Sequence, residues 1–153
     1  MNIFFLHHDP ATNASLYIDK HVGKILMEIN QMLSSALHRH TGLARFKRGF
    51  AHHPMTLWVG ESRGNYRYAV RLAEALIVEW HYRYDKFHGS GVHTPGLSGL
   101  EHLVPDGLMT CPPLCMPEEY RIGKPVPSYR AYYRGAKHSI AKYTRRPWPD
   151  FMS

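Results

Sequence analysis

Cysteine is scarce in this chain. Only Cys111 and Cys115 occur in 153 residues, and two of the three residues between them are prolines. Such a pair makes neither a disulfide framework nor, by itself, a zinc site. No apolar run approaches the length of a membrane span, and MNIFFL is too short, and lacks the basic flank, for a secretion signal. A soluble, reducing, cytoplasmic setting is expected. A Gly-rich phosphate loop is also missing, because Gly89-Ser90-Gly91 lacks the strand and helix such a motif needs. Neither a G-x-S-x-G elbow nor a kinase signature is present. Twelve histidines are present, but none shows the helical i, i+4 pairing of a strong metal site, so no metal and no cofactor are expected. Acid is absent where base is dense. From Tyr120 to Pro149 there are eight Lys/Arg, five Tyr and one Trp, and not one Asp or Glu.

What is present describes one soluble globular domain over 1–153, long enough to bury a core. Nineteen Lys+Arg against twelve Asp+Glu give a net charge of +7, which favours an anionic partner, nucleic acid being the commonest. The expected fold class is all-α: a single-domain helical bundle with long irregular loops and a short extended N-terminal arm at Asn2 to Leu6. Its opening helix is expected from about Ala14 to His38, capped from the Thr12/Asn13/Ser15 cluster. There Ile18, Val22, Ile25, Ile29, Leu33 and Leu37 fall on one side. A second row, Tyr17, His21, Lys24, Glu28, Gln31 and Ser35, lines up an imidazole, an ammonium and a carboxylate; a plain solvated face is its other reading.

A second long helix is expected from about Tyr66 to Phe87, with Trp80 inward and Arg67, Arg71, Glu74 and His81 towards solvent. A third is expected from Tyr129 to Tyr143, with Ser128 as its cap. Between them, 88–117 holds five glycines and five prolines and reads as a long loop whose apolar tail is pinned to the body.

Two stretches suit phosphates. The loop 39–54 carries Arg39, Arg45, Lys47 and Arg48 without an acid, and the C-terminal run offers Arg130, Arg134, Lys137, Arg145 and Arg146 with Trp148 among them. Cations mixed with rings suit a strand whose bases stack while its phosphates pair. Beside them Glu28, in a row with Lys24 and His21, could steady an oxocarbenium charge or move a proton, as cleavage of a glycosidic bond requires.

The order Asp19-x-His21, six residues, Glu28 resembles the opening helix of the small phage pyrimidine-dimer DNA glycosylases of the endonuclease V type. His53-Pro54-Met55-Thr56-Leu57-Trp58, Met116-Pro117-Glu118-Glu119-Tyr120-Arg121 and Arg146-Pro147-Trp148 follow in the order of that family. The chain also resembles, more closely, a group of uncharacterised phage proteins sharing DKHV, HP-x-T-x-W, MPEEY and YR-x-YY stretches, a likeness that carries no function. The glycosylase resemblance implies a monomeric all-helical enzyme of the phage-infected bacterial cell that excises a damaged or modified pyrimidine from double-stranded DNA, with or without cleavage at the abasic site. It gives Glu28 the catalytic carboxylate's role, places His21 beside the lesion, and puts Trp148 in the aromatic segment that meets the distorted duplex. In that family the nucleophile is the α-amine exposed by removal of the initiator Met. Residue 2 here is Asn, larger than the side chains that usually permit that removal. Met1 then supplies the amine, or Schiff-base chemistry is absent; were a lysine to act in place of the terminal amine, Lys24 is the first candidate. Two further readings stay open: modification of a pyrimidine without excision, and a non-catalytic nucleic-acid- or nucleotide-binding phage protein that counters host defence.

Overall fold

The two apolar rows become the two long helices around which the chain packs. A computed structural model describes residues 2–153, and among them only helices, turns and loops occur, with no strand. The order is α1 (Pro10–Ser15), α2 (Asp19–Thr41), α3 (Pro54–Val59), α4 (Arg63–Tyr84), α5 (Thr94–Leu97) and α6 (Pro125–Tyr132). Short 3-10 turns lie between them. On α2, Val22, Ile25, Leu26, Ile29, Leu33 and Leu37 are buried, and they meet Tyr66, Ala69, Ala73 and Leu76 of α4 in one core. Each such side chain contributes roughly 1.5–3 kcal/mol of hydrophobic stabilisation before entropy is subtracted. Gly23 breaks the helix-former pattern of α2 because a Cβ there would lie 2.8 Å from the Trp80 and His88 rings. Helix α2 ends at Gly42, whose φ of 74° only glycine adopts without cost.

The opening segment is two helices instead of one. Asp9, rather than the Thr12/Asn13/Ser15 cluster, caps α1 by accepting the Thr12 N–H at 2.8 Å. Chain direction changes at Leu16–Ile18, and α2 starts without a side-chain cap. Instead the Asp19 N–H donates to the Lys142 carbonyl at 2.8 Å, so α2 begins where the C-terminal segment crosses it. Asn13 is buried and holds the N-terminal arm, accepting the Leu6 N–H at 2.8 Å and donating to the Phe4 carbonyl at 2.9 Å. The Tyr17 hydroxyl bonds both the N–H and the carbonyl of Phe4. The arm is therefore extended and buried, as expected.

Helix α4 spans Arg63–Tyr84, three residues earlier than the expected frame. Ser62 caps it, and Asp85 stops it with φ 52°. Arg67, Arg71, Glu74 and His81 do face solvent. The last helix is shorter and earlier than expected. Pro125 and Pro127 fit the first turn, where no intrahelical N–H is required, so α6 starts at Pro125. Ser128 lies inside it, its hydroxyl donating to the Lys124 carbonyl and accepting the Ile122 N–H. After Tyr132 the chain widens into a π turn, Tyr133–Lys137, and a 3-10 turn, His138–Ile140. The tail of 88–117 is pinned to the body through Thr110, which accepts from Trp58 Nε1 at 3.3 Å and from the Asn65 side chain at 2.9 Å. No helix among the described residues is long and apolar enough to cross a membrane.

Candidate active site

Helical geometry places His21, Lys24 and Glu28 on one face of α2, at i, i+3 and i+7. That face is covered, which overturns the solvated reading of the row: His21, Glu28, Gln31 and Ser35 are all buried, and only Lys24 keeps half of its side chain in water. The cover comes from distant sequence. Asn2 and Phe4 of the arm, Cys115 of the long loop, and Tyr132 and Lys137 of the C-terminal segment close over α2. They leave a cavity of about 160 Å³ lined by these residues with His21, Lys24, Ile25 and Glu28. At about 30 Å³ per water it has room for roughly five waters, or one small ring.

Glu28, only 4% exposed, receives two loose contacts at its carboxylate from the described residues. The Asn2 backbone N–H donates to Oε2 at 3.3 Å, and Lys24 Nζ lies 3.8 Å from Oε1. Asn2 itself is fixed, since its side-chain amide donates to the Cys115 carbonyl at 2.7 Å. Met1, the expected amine donor, lies outside the described residues. His21 stacks on Phe4 with ring centroids 4.6 Å apart, and its Nδ1 lies 2.6 Å from the buried Tyr133 hydroxyl. Burial first, then the charges of Lys137, Lys24 and Lys20, push its ordinary value of 6.5 down to about 3, so the imidazole is neutral at physiological pH. His53 senses the Glu28 charge from the start of α3. Burial lowers its value while Glu28 raises it, and its Nδ1 accepts the Met55 N–H at 3.1 Å.

The expected phosphate-binding residues divide into two groups. Arg145 is engaged by Asp85 at 2.6 Å and by the Tyr82 carbonyl, and Arg146 by Glu79 at 2.8 Å while lying over the Tyr82 ring. The acid-free run is therefore not free of acid in space, because α4 supplies what the C-terminal segment lacks. Arg130 donates to the Leu6 carbonyl at 2.9 Å and covers the Phe151 ring, which makes it a clamp on the arm. Arg48 is turned to His38. Exposed and without an acid partner among the described residues are Arg45, Lys47 and Arg134. Lys137 lies over the Tyr132 ring at the cavity edge. Trp148 is half exposed and packs on His138 and Tyr143. The loop carrying Arg45 and Lys47 is tied to α2, where Ser34 and Ser35 bond the backbone of Phe46 and Gly49.

Sequence reasoning did not find Phe4, Cys115, Tyr132, Tyr133 and His53 as neighbours of the row. Three of these had a signal: His53 heads the HP-x-T-x-W stretch, and Tyr132-Tyr133 ends YR-x-YY. A larger hollow of about 500 Å³ lies at the other end of α2, lined by Arg39, Trp58, Cys111 and Pro113 among others. It is open to solvent and holds none of the expected catalytic residues. No group of His, Cys, Asp or Glu among the described residues is arranged to hold a metal. Fold and site together define an all-helical domain with a buried carboxylate at a small, cation-edged cavity. No family model, curated protein or solved structure matches the chain.

Proposed function

We propose that this chain is a DNA glycosylase-like enzyme that excises a damaged or modified pyrimidine from double-stranded DNA, with Glu28 as the catalytic carboxylate. The observation that carries the reading is the state of Glu28: buried at a cavity wall, loosely held, and backed by Lys24. In the reaction the C1′–N bond breaks and the base leaves with the bonding electrons. Glu28 faces the cationic sugar, which is where a fixed charge lowers the barrier most. A water or an amine then adds at C1′ and gives up a proton, for which Glu28 is the acceptor. The base must leave the stack to reach a cavity of this kind, and the exposed Arg45, Lys47, Arg134 and Trp148 are suited to hold the surrounding strand.

Incubation with duplexes carrying a thymine dimer, uracil or 5-hydroxymethyluracil tests the reading. Free base or a nicked strand is expected from one of them. A mass change on unbroken DNA would replace excision by base modification, and binding without change would make the chain a non-catalytic binder. If the amine at the chain's start attacks, borohydride traps a covalent enzyme–DNA adduct, and a short extension ahead of Met1 abolishes it; a terminal amine is unprotonated at neutral pH far more often than a lysine. Trapping that survives the extension moves the nucleophile to a lysine, with Lys24 first.

A further inference from the structure

His21 has more to say about what enters the cavity. Tyr133 is fully buried, and among the described residues the only acceptor recorded within hydrogen-bond reach of its hydroxyl is His21 Nδ1, at 2.6 Å. Were Nδ1 protonated, both groups would offer hydrogens to each other and the tyrosine proton would be orphaned in the core, which costs about 1–3 kcal/mol. The hydroxyl therefore donates to Nδ1, and a neutral imidazole with an accepting Nδ1 carries its hydrogen on Nε2. Turning the ring over would keep its stack on Phe4 but set Cδ2–H against the Tyr133 hydroxyl, so the Nδ1 bond is what fixes its orientation. The ring lines the cavity, and Nε2 has no hydrogen-bond partner among the described residues.

We infer that His21 presents a fixed Nε2–H donor to the cavity, and that the group it receives is an uncharged carbonyl oxygen on a small ring, the class to which pyrimidine-2,4-diones belong. The inference rests on the site proposed above and names what that site reads. An anion is the weaker fit. Among the described residues, the charged groups around His21 are Lys20, Lys24 and Glu28 on α2 and Lys137 on the C-terminal turn. A phosphate drawn to Lys24 would meet the Glu28 carboxylate, which lies 3.8 Å from that ammonium. The space is too small for a whole nucleotide and its wall is mostly polar, so a small ring that carries hydrogen-bonding groups on its edge suits it, with Phe4, Ile25 and Tyr132 among the lining residues. Burial and the neighbouring lysines keep His21 uncharged, so the donor persists in mildly acidic solution.

The test is nitrogen-15 NMR of the histidine rings in the full chain. The His21 signals are expected to show a single Nε2–H tautomer, unchanged from pH 7 to about pH 4.5. Uracil or 5-hydroxymethyluracil should shift Nε2 saturably, and inorganic phosphate should leave it in place. Tyr133→Phe should convert the single tautomer into a mixture and weaken the uracil response several-fold, with circular dichroism confirming the fold. An Nδ1–H tautomer, an imidazolium at pH 7, a shift with phosphate, or no response to either base overturns the inference. DNA cleavage is read separately. Uracil-dependent shifts in a chain that cleaves no lesion would remove excision and leave the donor assignment intact, whereas cleavage with the wrong tautomer would do the reverse.

Discussion

Glu28 and Glu79 are buried to the same 4% exposure, one on each long helix, yet their surroundings are opposite. Glu79 accepts from Arg83 at 2.7 Å and from Arg146 at 3.0 and 2.8 Å, so both oxygens are held by guanidinium groups. Burial pushes its carboxyl up, and the Arg146 and Arg83 hydrogen bonds outweigh that and hold it below its ordinary 4.5. Among the described residues Glu28 has one long backbone contact and one distant ammonium, and it opens on a cavity. A buried carboxylate whose lone pairs are filled by arginines stabilises the fold and has nothing left to offer a ligand. One that is buried and underused retains capacity for chemistry. The comparison supports the proposed roles, structure for Glu79 and reactivity for Glu28, and each half can be broken separately.

The largest effect should come from Glu79→Gln, which leaves the fully buried Arg83 with Asp19 as its only carboxylate partner, at 2.8 Å. Urea unfolding should show a loss of about 3–5 kcal/mol, while turnover per folded molecule stays near the parent's. Next, Glu28→Gln should lower kcat roughly a hundredfold or more, about 2.7 kcal/mol at the barrier. Its stability should change by less than about 1 kcal/mol, because the amide oxygen still accepts from Asn2 and the half-exposed Lys24 is left to water. DNA affinity is expected to hold or rise. If unfolding rather than turnover responds to Glu28→Gln, the two carboxylates are alike and the catalytic assignment fails.

The pH response sharpens the contrast. The His21 value falls on folding from 6.5 to about 3, so the unfolded chain binds this proton first as pH drops. Its contribution is complete above about 6.5 and is lost at about 1.4 kcal/mol per pH unit on the way down to 3. Glu79, with a lowered carboxyl value, contributes fully above 4.5 and loses that contribution only below it. Urea midpoints measured from pH 7 to 4.5 should therefore fall in the parent and fall less steeply in His21→Asn; equal slopes in the two proteins remove His21 as the group responsible. The smallest effect concerns salt. Arg134 is exposed and unpaired among the described residues, whereas Arg145 is held by Asp85. Arg134→Gln should reduce the slope of log K against log salt by about 0.9, and Arg145→Gln by much less. Reversal of that order would show that the Asp85 pair opens on binding DNA.

The two long helices were legible because their apolar periods are long; burial follows the α2 row residue by residue and holds on α4 for Tyr66, Ala69, Ala73 and Leu76, while Phe87, the end of the expected helix, is exposed. The break at Leu16–Ile18 was not, since those residues continue the apolar pattern and the cause is the Lys142 carbonyl, far away in sequence. Row membership put His21, Lys24 and Glu28 together, but a helical period cannot say which face will be covered. The lid comes from Asn2, Phe4, Cys115, Tyr132 and Lys137, residues without a shared period or spacing. Charge counting misjudged Arg145 and Arg146 for a related reason: an acid-free stretch of sequence says nothing about acids on another helix.

The C-terminal crossing sets an order of events during synthesis. Asp19 receives the Thr144 N–H at 2.9 Å and its hydroxyl at 2.7 Å across 125 residues, and Glu79 waits for Arg146 across 67. A nascent chain that has emerged only as far as Tyr143 has both long helices but holds Asp19 and Glu79 partly unsatisfied beside Arg83. Contacts of such long sequence separation are closed late and slowly. The two long helices therefore gain their last charge partners only once the segment after Tyr143 has docked across them.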